Sequence, residues 1–251
     1  MEQIPNFIIR VATPEDKKYA PLITDEMASS ALARGTGIAR RTPEYIQQKM
    51  EEGKAVIAIT DQGDWVGFCY IEAWGHNKFV ANSGLIVSPA FRGHGVATLI
   101  KKKIFELSRE KYPEAKIFGL TTGLAVMKIN SELGYKPVTY SELTADDQFW
   151  KGCQSCVNYE TLMSKGRENC FCTAMLYDPA AQAQEPAREA LAASNGHPAA
   201  GHRQFAGNFK LFERWLRYKK FVLLKPFLRK EEPLQAGGEQ PTRKKFFFNL
   251  F

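Results

Sequence analysis

Apolar and polar positions alternate along this chain in blocks whose period switches between two and about 3.6 residues, and the switches mark its elements. Phe7-Ile8-Ile9-Arg10-Val11-Ala12 predicts a first strand, and Thr13-Pro14-Glu15-Asp16 opens a helix with proline in its first turn. Helical spacing covers residues 15–33 and 43–52, the second stretch started by Thr42-Pro43-Glu44. Lys54 to Thr60 and Trp65 to Ala73 are apolar strands, separated by Asp61-Gln62-Gly63-Asp64, a hairpin turn by composition. Phe79 to Val87 is the next strand. A glycine-bearing turn follows, then a helix over about residues 95–111 with apolar Leu99, Ile100, Ile104, Phe105 and Leu107. Lys116 to Thr122 is a further strand, Ala125 to Leu133 a short helix, and Gly134-Tyr135-Lys136-Pro137-Val138 its exit into another strand. The order β–α–α–β–β–β–α–β–α–β predicts an α/β (α+β) fold, a mixed central sheet flanked by helices.

The turn between Val87 and the following helix carries the first chemistry. There the chain reads Arg92-Gly93-His94-Gly95-Val96-Ala97. A glycine turn opening a helix directs unpaired backbone N–H groups and the positive end of the helix dipole at one point. That is an anion site, and a pyrophosphate is a common occupant. A Cβ at Gly93 or Gly95 would hinder the approach of phosphate oxygens to the backbone.

This hexapeptide resembles the pyrophosphate-binding motif of the GNAT superfamily of N-acetyltransferases, Arg/Gln-x-x-Gly-x-Gly/Ala, with Arg92, Gly95 and Ala97 on its fixed positions. Leu133-Gly134-Tyr135 looks like the Leu-Gly-Phe signature that closes the last helix of that family. The two lie about forty residues apart with the expected strand between them, and the resemblance covers roughly residues 7–145. It implies acetyl-CoA or a related acyl-CoA as donor, with backbone N–H groups of residues 92–97 on the pyrophosphate. Leu85, Ile86 and Val87 would then lie along the pantetheine arm, and an N–H near Ile86 or Val87 would meet the acyl carbonyl. Glu72, at the end of the apolar run Phe68-Cys69-Tyr70-Ile71, is the expected base. The tyrosine that commonly serves as acid in the superfamily is replaced by Asn130. Either Asn130 orients the thiol, or Ser83 or Tyr135 supplies the proton.

The acceptor side of this fold is built largely from the first two helices and their connection, which here holds Arg34, Arg40 and Arg41 around Gly35-Thr36-Gly37. Arginine suits bidentate recognition of a carboxylate, so a small acidic acceptor is expected, with Thr121 beside the acyl pocket. The runs from Gly35 to Ile46, Lys54 to Ala58, Gly67 to Glu72, Ala81 to Val87 and Gly119 to Asn130 look like the stand-alone N-acetylglutamate synthase-like acyltransferases of bacterial arginine biosynthesis. That resemblance implies L-glutamate as acceptor and leaves the donor open between acetyl-CoA and succinyl-CoA. An acetyltransferase acting on protein lysine or another small amine is the alternative within catalysis. A non-catalytic acyl-CoA-binding scaffold is the alternative outside it.

Charge refines the picture. The net charge of +7 is uneven: residues 205–251 hold 11 of the 34 basic and 4 of the 27 acidic residues, leaving 23 of each before them. A neutral body argues against a nucleic-acid partner. No apolar run approaches a membrane span and the N-terminus lacks a secretion pattern, so a cytoplasmic location is expected. Residues 1–145 are read as the acyltransferase domain and 146–178 as a cysteine-rich extension. Cys153-Gln154-Ser155-Cys156 and Cys170-Phe171-Cys172 within that extension suggest a knuckle holding structural zinc, closed to reactants; two disulfides, free thiols and an iron–sulfur cluster are the other readings. Residues 179–204 read as a flexible linker, 205–228 as a basic amphipathic helix and 229–251 as a tail. The helix suits docking or pairing with a second copy better than membrane contact.

Overall fold

The computed structural model describes residues 6–35 and 39–184. The chain divides into two units, Met1–Gly207 and Asn208–Phe251, and the described residues all belong to the first. Seven strands form one mixed sheet in the order β1-β2-β3-β4-β5-β7-β6. The first four, β1 (Phe7–Val11), β2 (Ala55–Thr60), β3 (Trp65–Trp74) and β4 (Phe79–Val87), are antiparallel neighbours. β2 and β3 read as nearly unbroken apolar runs because both faces of the sheet are covered there. On one face, Ile57, Phe68, Tyr70 and Ile86 pack with Ile23 and Met27 of α1 (Ala20–Arg34) and Ile46 and Met50 of α2 (Pro43–Glu51). Alternation turns Cys69 and Ile71 to the other face. There α3 (Val96–Lys111) lies, and Ile100 comes so close to Gly67 that a Cβ would meet it at 2.7 Å.

Helix starts follow the caps written in the sequence. Thr42 accepts the Tyr45 N–H while Pro43 occupies the first turn of α2. The single helix expected over 15–33 is divided. A 3-10 turn, Pro14–Tyr19, precedes α1, which begins at Ala20 because Pro21 has no N–H to continue the ladder. Asp16 in that turn accepts the Thr13 N–H and a two-pronged bond from Arg10 at 2.6 and 2.9 Å.

The sheet opens at its centre. β4 and β5 (Lys116–Thr121) are parallel, but pairing stops after Phe79↔Lys116, Val80↔Ile117 and Ala81↔Phe118. Beyond Ala81, β4 bulges against β3, where Tyr70 pairs with Ser83 but Phe68 with Ile86. Gly84 occupies the bulge at φ +65°, and a Cβ on it would lie 2.3 Å from the Tyr70 ring. No other residue type fits there. The two strands therefore diverge into a V bounded by α3 and α4 (Leu124–Glu132).

One boundary expected from the sequence is corrected. β7 (Thr173–Tyr177) inserts between β5 and β6 (Lys136–Val138), antiparallel to both, so the fold runs to residue 177 and residues 146–178 are not appended to it. The segment between β6 and β7 contains α5 (Asp147–Lys151) and α6 (Tyr159–Ser164). Its Trp150 and Leu162 share a core with Tyr140, Phe118 and Leu176. The apolar Thr173-Ala174-Met175-Leu176-Tyr177 is a strand in its own right, hidden in the sequence by the cysteines before it. Residues 179–184, expected to begin a flexible linker, are helical. Asp178 caps them by accepting the N–H groups of Ala180 and Ala181, with Pro179 at the first position. The remaining linker, the amphipathic helix and the tail lie outside the described residues. No helix among the described residues is long and apolar enough to cross a membrane.

Candidate functional site

The donor end is made of backbone. Gly93 and Gly95 adopt φ of +85° and +77°, and α3 starts at Val96 immediately after. The Phe91 and Arg92 N–H groups close a short turn on Ser88 and Pro89. From Gly93 to Ala97, by contrast, five consecutive N–H groups find no acceptor among the described residues, the next bonds being Thr98 and Leu99 to the Gly95 carbonyl. Unpaired donors at the start of a sixteen-residue helix are the setting for a phosphate. A Cβ at Gly93 or Gly95 would meet nothing within 4 Å, so their glycine character answers to φ and to room for a ligand. His94 is exposed, and Val96 is buried in the core.

The Arg92 side chain does not reach toward that cradle. It donates to the Val87 carbonyl at 3.0 Å, to Glu26 at 2.8 Å and to Ser30 at 2.8 Å, tying the turn to α1. Along β4, the Ser88 N–H bonds the Val66 carbonyl on β3. By the alternation of an antiparallel ladder, Ile86 faces β3 likewise, leaving the Leu85 and Val87 N–H groups aimed into the V. The donor expected near Ile86 or Val87 is thus Val87, with Leu85 beside it; Ile86 is 3% exposed and packs toward α1.

A cavity of about 270 Å³ continues from the V into the space between β4, β5 and the cysteine segment. Of the residues singled out from the sequence, its wall includes Arg34, Arg41, Glu72, Ser83, Leu85, Thr121 and Asn130, together with all four clustered cysteines. Arg40 is not among them. It is exposed, its N–H bonds Ser155 and its carbonyl holds the Arg41 side chain, because neighbours in an extended stretch point opposite ways. Tyr135 is also absent from the wall. Its hydroxyl is spent on Asn82 at 2.9 Å. The Thr121 hydroxyl accepts the Gly123 N–H and shapes the turn into α4.

Among the described residues Glu72 is the only carboxylate on the wall, and it is 6% exposed. Arg41 donates to it at 3.0 Å, and the Tyr45 hydroxyl makes a short bond to the same oxygen. Arg41 also donates to the Tyr70 hydroxyl at 3.1 Å and stacks on the Tyr45 ring at 5.0 Å. Burial opposes the Arg41 cation, but Tyr70, Glu72 and Tyr45 outweigh it and hold the guanidinium above its ordinary value. Burial, reinforced by the Glu72 charge, pushes the Tyr45 phenol up, so it stays a donor at neutral pH. Sequence reading named Arg41 and Glu72 for separate roles, and the fold joins them; it missed Tyr45 and Tyr70 altogether. Helical spacing marked Tyr45, one residue before buried Ile46, as a flank of the α2 apolar face. At the rim, burial and the nearby Arg92 lower the Arg34 guanidinium.

Asn130, where the superfamily tyrosine was expected, is 1% exposed. Its amide nitrogen contacts the Met175 sulfur at 3.7 Å, and its oxygen has no partner. It has no proton to give a leaving thiolate. The Ser83 carbonyl accepts from the Cys69 thiol. Lys101 was missed; it stood in the sequence inside Lys101-Lys102-Lys103, a run that reads as a solvated face. It is 2% exposed and lines the cavity. The signal was its helical phase, three and four residues before Ile104 and Phe105, while Leu99, counted as apolar face, is 44% exposed.

The zinc site expected at Cys153, Cys156, Cys170 and Cys172 is not formed: among the described residues no group of three or more histidine, cysteine or acidic side chains is placed to hold a metal ion. The thiols face Tyr140 and nearby peptide groups instead. Cys156 accepts the Asn158 N–H at 3.4 Å, and Cys170 lies 4.0 Å from the Asn158 carbonyl. Burial and the neighbouring thiols push Cys153 up to about 11. Cys172 is raised by its bond to Cys170 first and burial second. Cys153 and Cys172 are thereby kept as neutral thiols, and all four cysteines form one wall of the cavity.

No curated protein matches the chain. A solved N-acetylglutamate synthase from Neisseria gonorrhoeae, complexed with coenzyme A and N-acetyl-glutamate, is 18% identical with a TM-score of 0.49. The match covers 70% of this chain and 36% of the synthase, so the chain spans about a third of that protein's length. A Mycobacterium tuberculosis protein solved with CoA is 18% identical over 68% of this chain and 98% of its own, with a TM-score of 0.48. A phosphinothricin acetyltransferase from Sinorhizobium meliloti in complex with AcCoA is 14% identical over 68% and 88%, with a TM-score of 0.46. Residues 25–125, which span α1 to the first residues of α4 and include the glycine turn, match the family model of the acetyltransferase (GNAT) family. The chain carries a GNAT acetyltransferase domain.

Proposed function

We propose that the protein is an acyl-CoA-dependent N-acyltransferase that moves an acetyl or succinyl group to the α-amine of a small acidic amino acid, with L-glutamate as acceptor in arginine biosynthesis. The observation that carries the reading is the unpaired N–H run from Gly93 to Ala97, open at the head of a V that leads into a charged cavity. That cradle suits the diphosphate of a CoA thioester. The V beside it gives the pantetheine arm a path along Leu85 to Val87. Among the described residues, Arg34 and Arg41 line the cavity with a single carboxylate, and Lys101, lowered by burial, adds a third basic group. Such a balance favours an anionic acceptor and disfavours a polyamine or a lysine side chain, which would bring further positive charge.

In this reading the chain's residues position more than they react. The Val87 N–H, with Leu85 alongside, donates to the thioester oxygen as charge develops on it. Glu72 holds the acceptor ammonium and takes its proton, while Arg41 and Tyr45 fix the carboxylate in place. The neutral amine attacks the carbonyl carbon, the C–N bond forms, and the C–S bond breaks. Asn130 orients the sulfur, and the departing thiolate takes its proton from solvent.

Recombinant protein given acetyl-CoA or succinyl-CoA should release free CoA only when glutamate is added, read with a thiol reagent. Absence of glutamate-dependent release with either donor would overturn the acceptor assignment. Failure of every CoA species to bind would overturn the reading as a whole.

A further inference from the structure

Resting on that reading, we infer that Cys153 and Cys156 are a reversible modification site. A low-molecular-weight disulfide oxidises them to a bridge that pulls Arg41 away from Glu72 and silences the acceptor end. The pair sits at the 3-10 turn Gly152–Ser155, where the Cys156 N–H bonds the Cys153 carbonyl at 2.9 Å. A turn closed in that way holds its first and fourth Cα atoms within about 7 Å, and a disulfide spans roughly 4.4–6.8 Å. Side chains three residues apart on a 3-10 turn also lie one above the other. The two sulfurs therefore meet after a modest tightening of the turn. All four clustered thiols are half-buried and line the cavity, which gives a small oxidant its path.

Cys170 and Cys172 also touch, through a bond between their thiols. Cys172 adjoins Thr173, however, and the pairing of Thr173 with Thr121 holds that strand end extended. Among the described residues no turn bond draws these two together as one does Cys153 and Cys156. Burial and the neighbouring Cys156 push the Cys153 thiol up to about 11, which makes Cys153 the resolving partner and Cys156 the attacking one. The Cys156 sulfur bonds one sulfur of the small disulfide, whose S–S bond breaks and expels a thiolate. Cys153 then attacks the Cys156 sulfur of the mixed disulfide, and a second small thiolate leaves. The two protein protons end on the two released thiols. The cysteine pair loses two electrons, and the small disulfide gains them.

The turn is clamped to the acceptor machinery at two points. The Ser155 hydroxyl, between the two cysteines, accepts the Arg40 N–H at 3.1 Å. On Gly152, a Cβ would lie 3.7 Å from Arg41 Nη2, the nitrogen that donates to Glu72 at 3.0 Å. The Cys156 sulfur presently accepts the Asn158 N–H at the start of α6, and it turns from that bond to reach Cys153. Tightening the turn thus shifts Gly152 and Ser155 against Arg41 and Arg40, and Glu72 loses the guanidinium that fixes it. The cradle from Gly93 to Ala97 shares no backbone bond with this segment among the described residues, so the donor end is left as it was.

Full-length protein, reduced and then held in oxidised glutathione, tests this. Peptide mapping should find Cys153 joined to Cys156, and CoA affinity by calorimetry should stay unchanged. Glutamate-dependent CoA release should fall about tenfold or more, the scale of a displaced reacting group, and dithiothreitol should restore it. A variant carrying both Cys153→Ser and Cys156→Ser should turn over equally fast with and without the oxidant. No bridge, a bridge between other cysteines, or inhibition that persists in that double variant would overturn the inference. The coupling is also read without turnover: oxidation should lower the urea midpoint more in the wild type than in Glu72→Gln, and equal shifts would overturn it. Reduced protein that binds CoA but shows no glutamate-dependent release would remove the acceptor reading alone, and the mapping and the urea comparison would still decide this one.

Discussion

The two ends of the cavity are built by different means. The donor end is made of main chain: a glycine turn, five unpaired N–H groups and a strand that parts from its neighbour. The acceptor end is made of side chains, with Arg41, Tyr45, Tyr70 and Glu72 arriving from a loop, α2 and two positions of β3. Backbone donors are set by φ and helix start, and they need only glycine at the right place. A side-chain network needs each member held by a separate element. The donor end should therefore tolerate much substitution outside the turn, and the acceptor end should be brittle.

Glu72→Gln is the sharpest test and carries the largest expected effect. It leaves the half-buried Arg41 without its countercharge, and stability should fall by about 3 kcal/mol in urea titration. The rate with glutamate should drop by roughly a hundredfold to ten-thousandfold if Glu72 takes the amine proton. A rate within tenfold of wild type would show that Glu72 serves Arg41 alone. Tyr45→Phe, which removes one bond to the same carboxylate, should cost less in both measurements.

Gly84→Val separates packing from ligand binding where the two ends meet. With its Cβ position 2.3 Å from the Tyr70 ring and φ at +65°, this variant should lose on the order of 3 kcal/mol and bring down both ends together. Gly95→Val meets no neighbour. Its stability should fall by only about 1 kcal/mol, the cost of a side chain at positive φ, while CoA affinity falls about tenfold by calorimetry. Equal losses in both quantities would mean that Gly95 is a turn residue and not part of a ligand cradle.

The smallest effect concerns Asp16, remote from both ends, and serves as a control. Burial raises its carboxyl, but bonds from Arg10 and Thr13 prevail and hold it below the ordinary value of 3.8. Its contribution is therefore fully present above about pH 4 and is lost as pH falls through the lowered folded value. Asp16→Asn should flatten that part of the acid stability profile and leave the pH dependence of turnover unchanged.

The same contrast explains what the sequence alone reveals. The pattern from Phe7 to Val138 predicts six of the seven strands and the starts of α2 and α3, because periodicity and caps are local. The phosphate cradle is local as well, six residues between a strand and a helix. β7 escaped because its pairing partners, Lys116–Thr121 and Lys136–Val138, are distant in sequence and nothing short-range announces them. Arg41 and Glu72 were each visible as candidates, yet their bond spans 31 residues. Lys101 was the hardest to see, since its burial is decided by helical phase against a floor made by Asn82 and Tyr135. Only the packed tertiary arrangement distinguishes it from Lys102 and Lys103.

The late arrival of β7 bears on how the polypeptide matures. Ile117 must wait for Tyr177, sixty positions downstream, before the flank of β5 is covered. Until that register is reached, a nascent chain shows a naked hydrogen-bonding border flanked by Phe118 and Leu120, the kind of surface that recruits other growing chains. The 146–172 excursion lies between β5 and β7, so its length adds to the loop that must close before the border is covered.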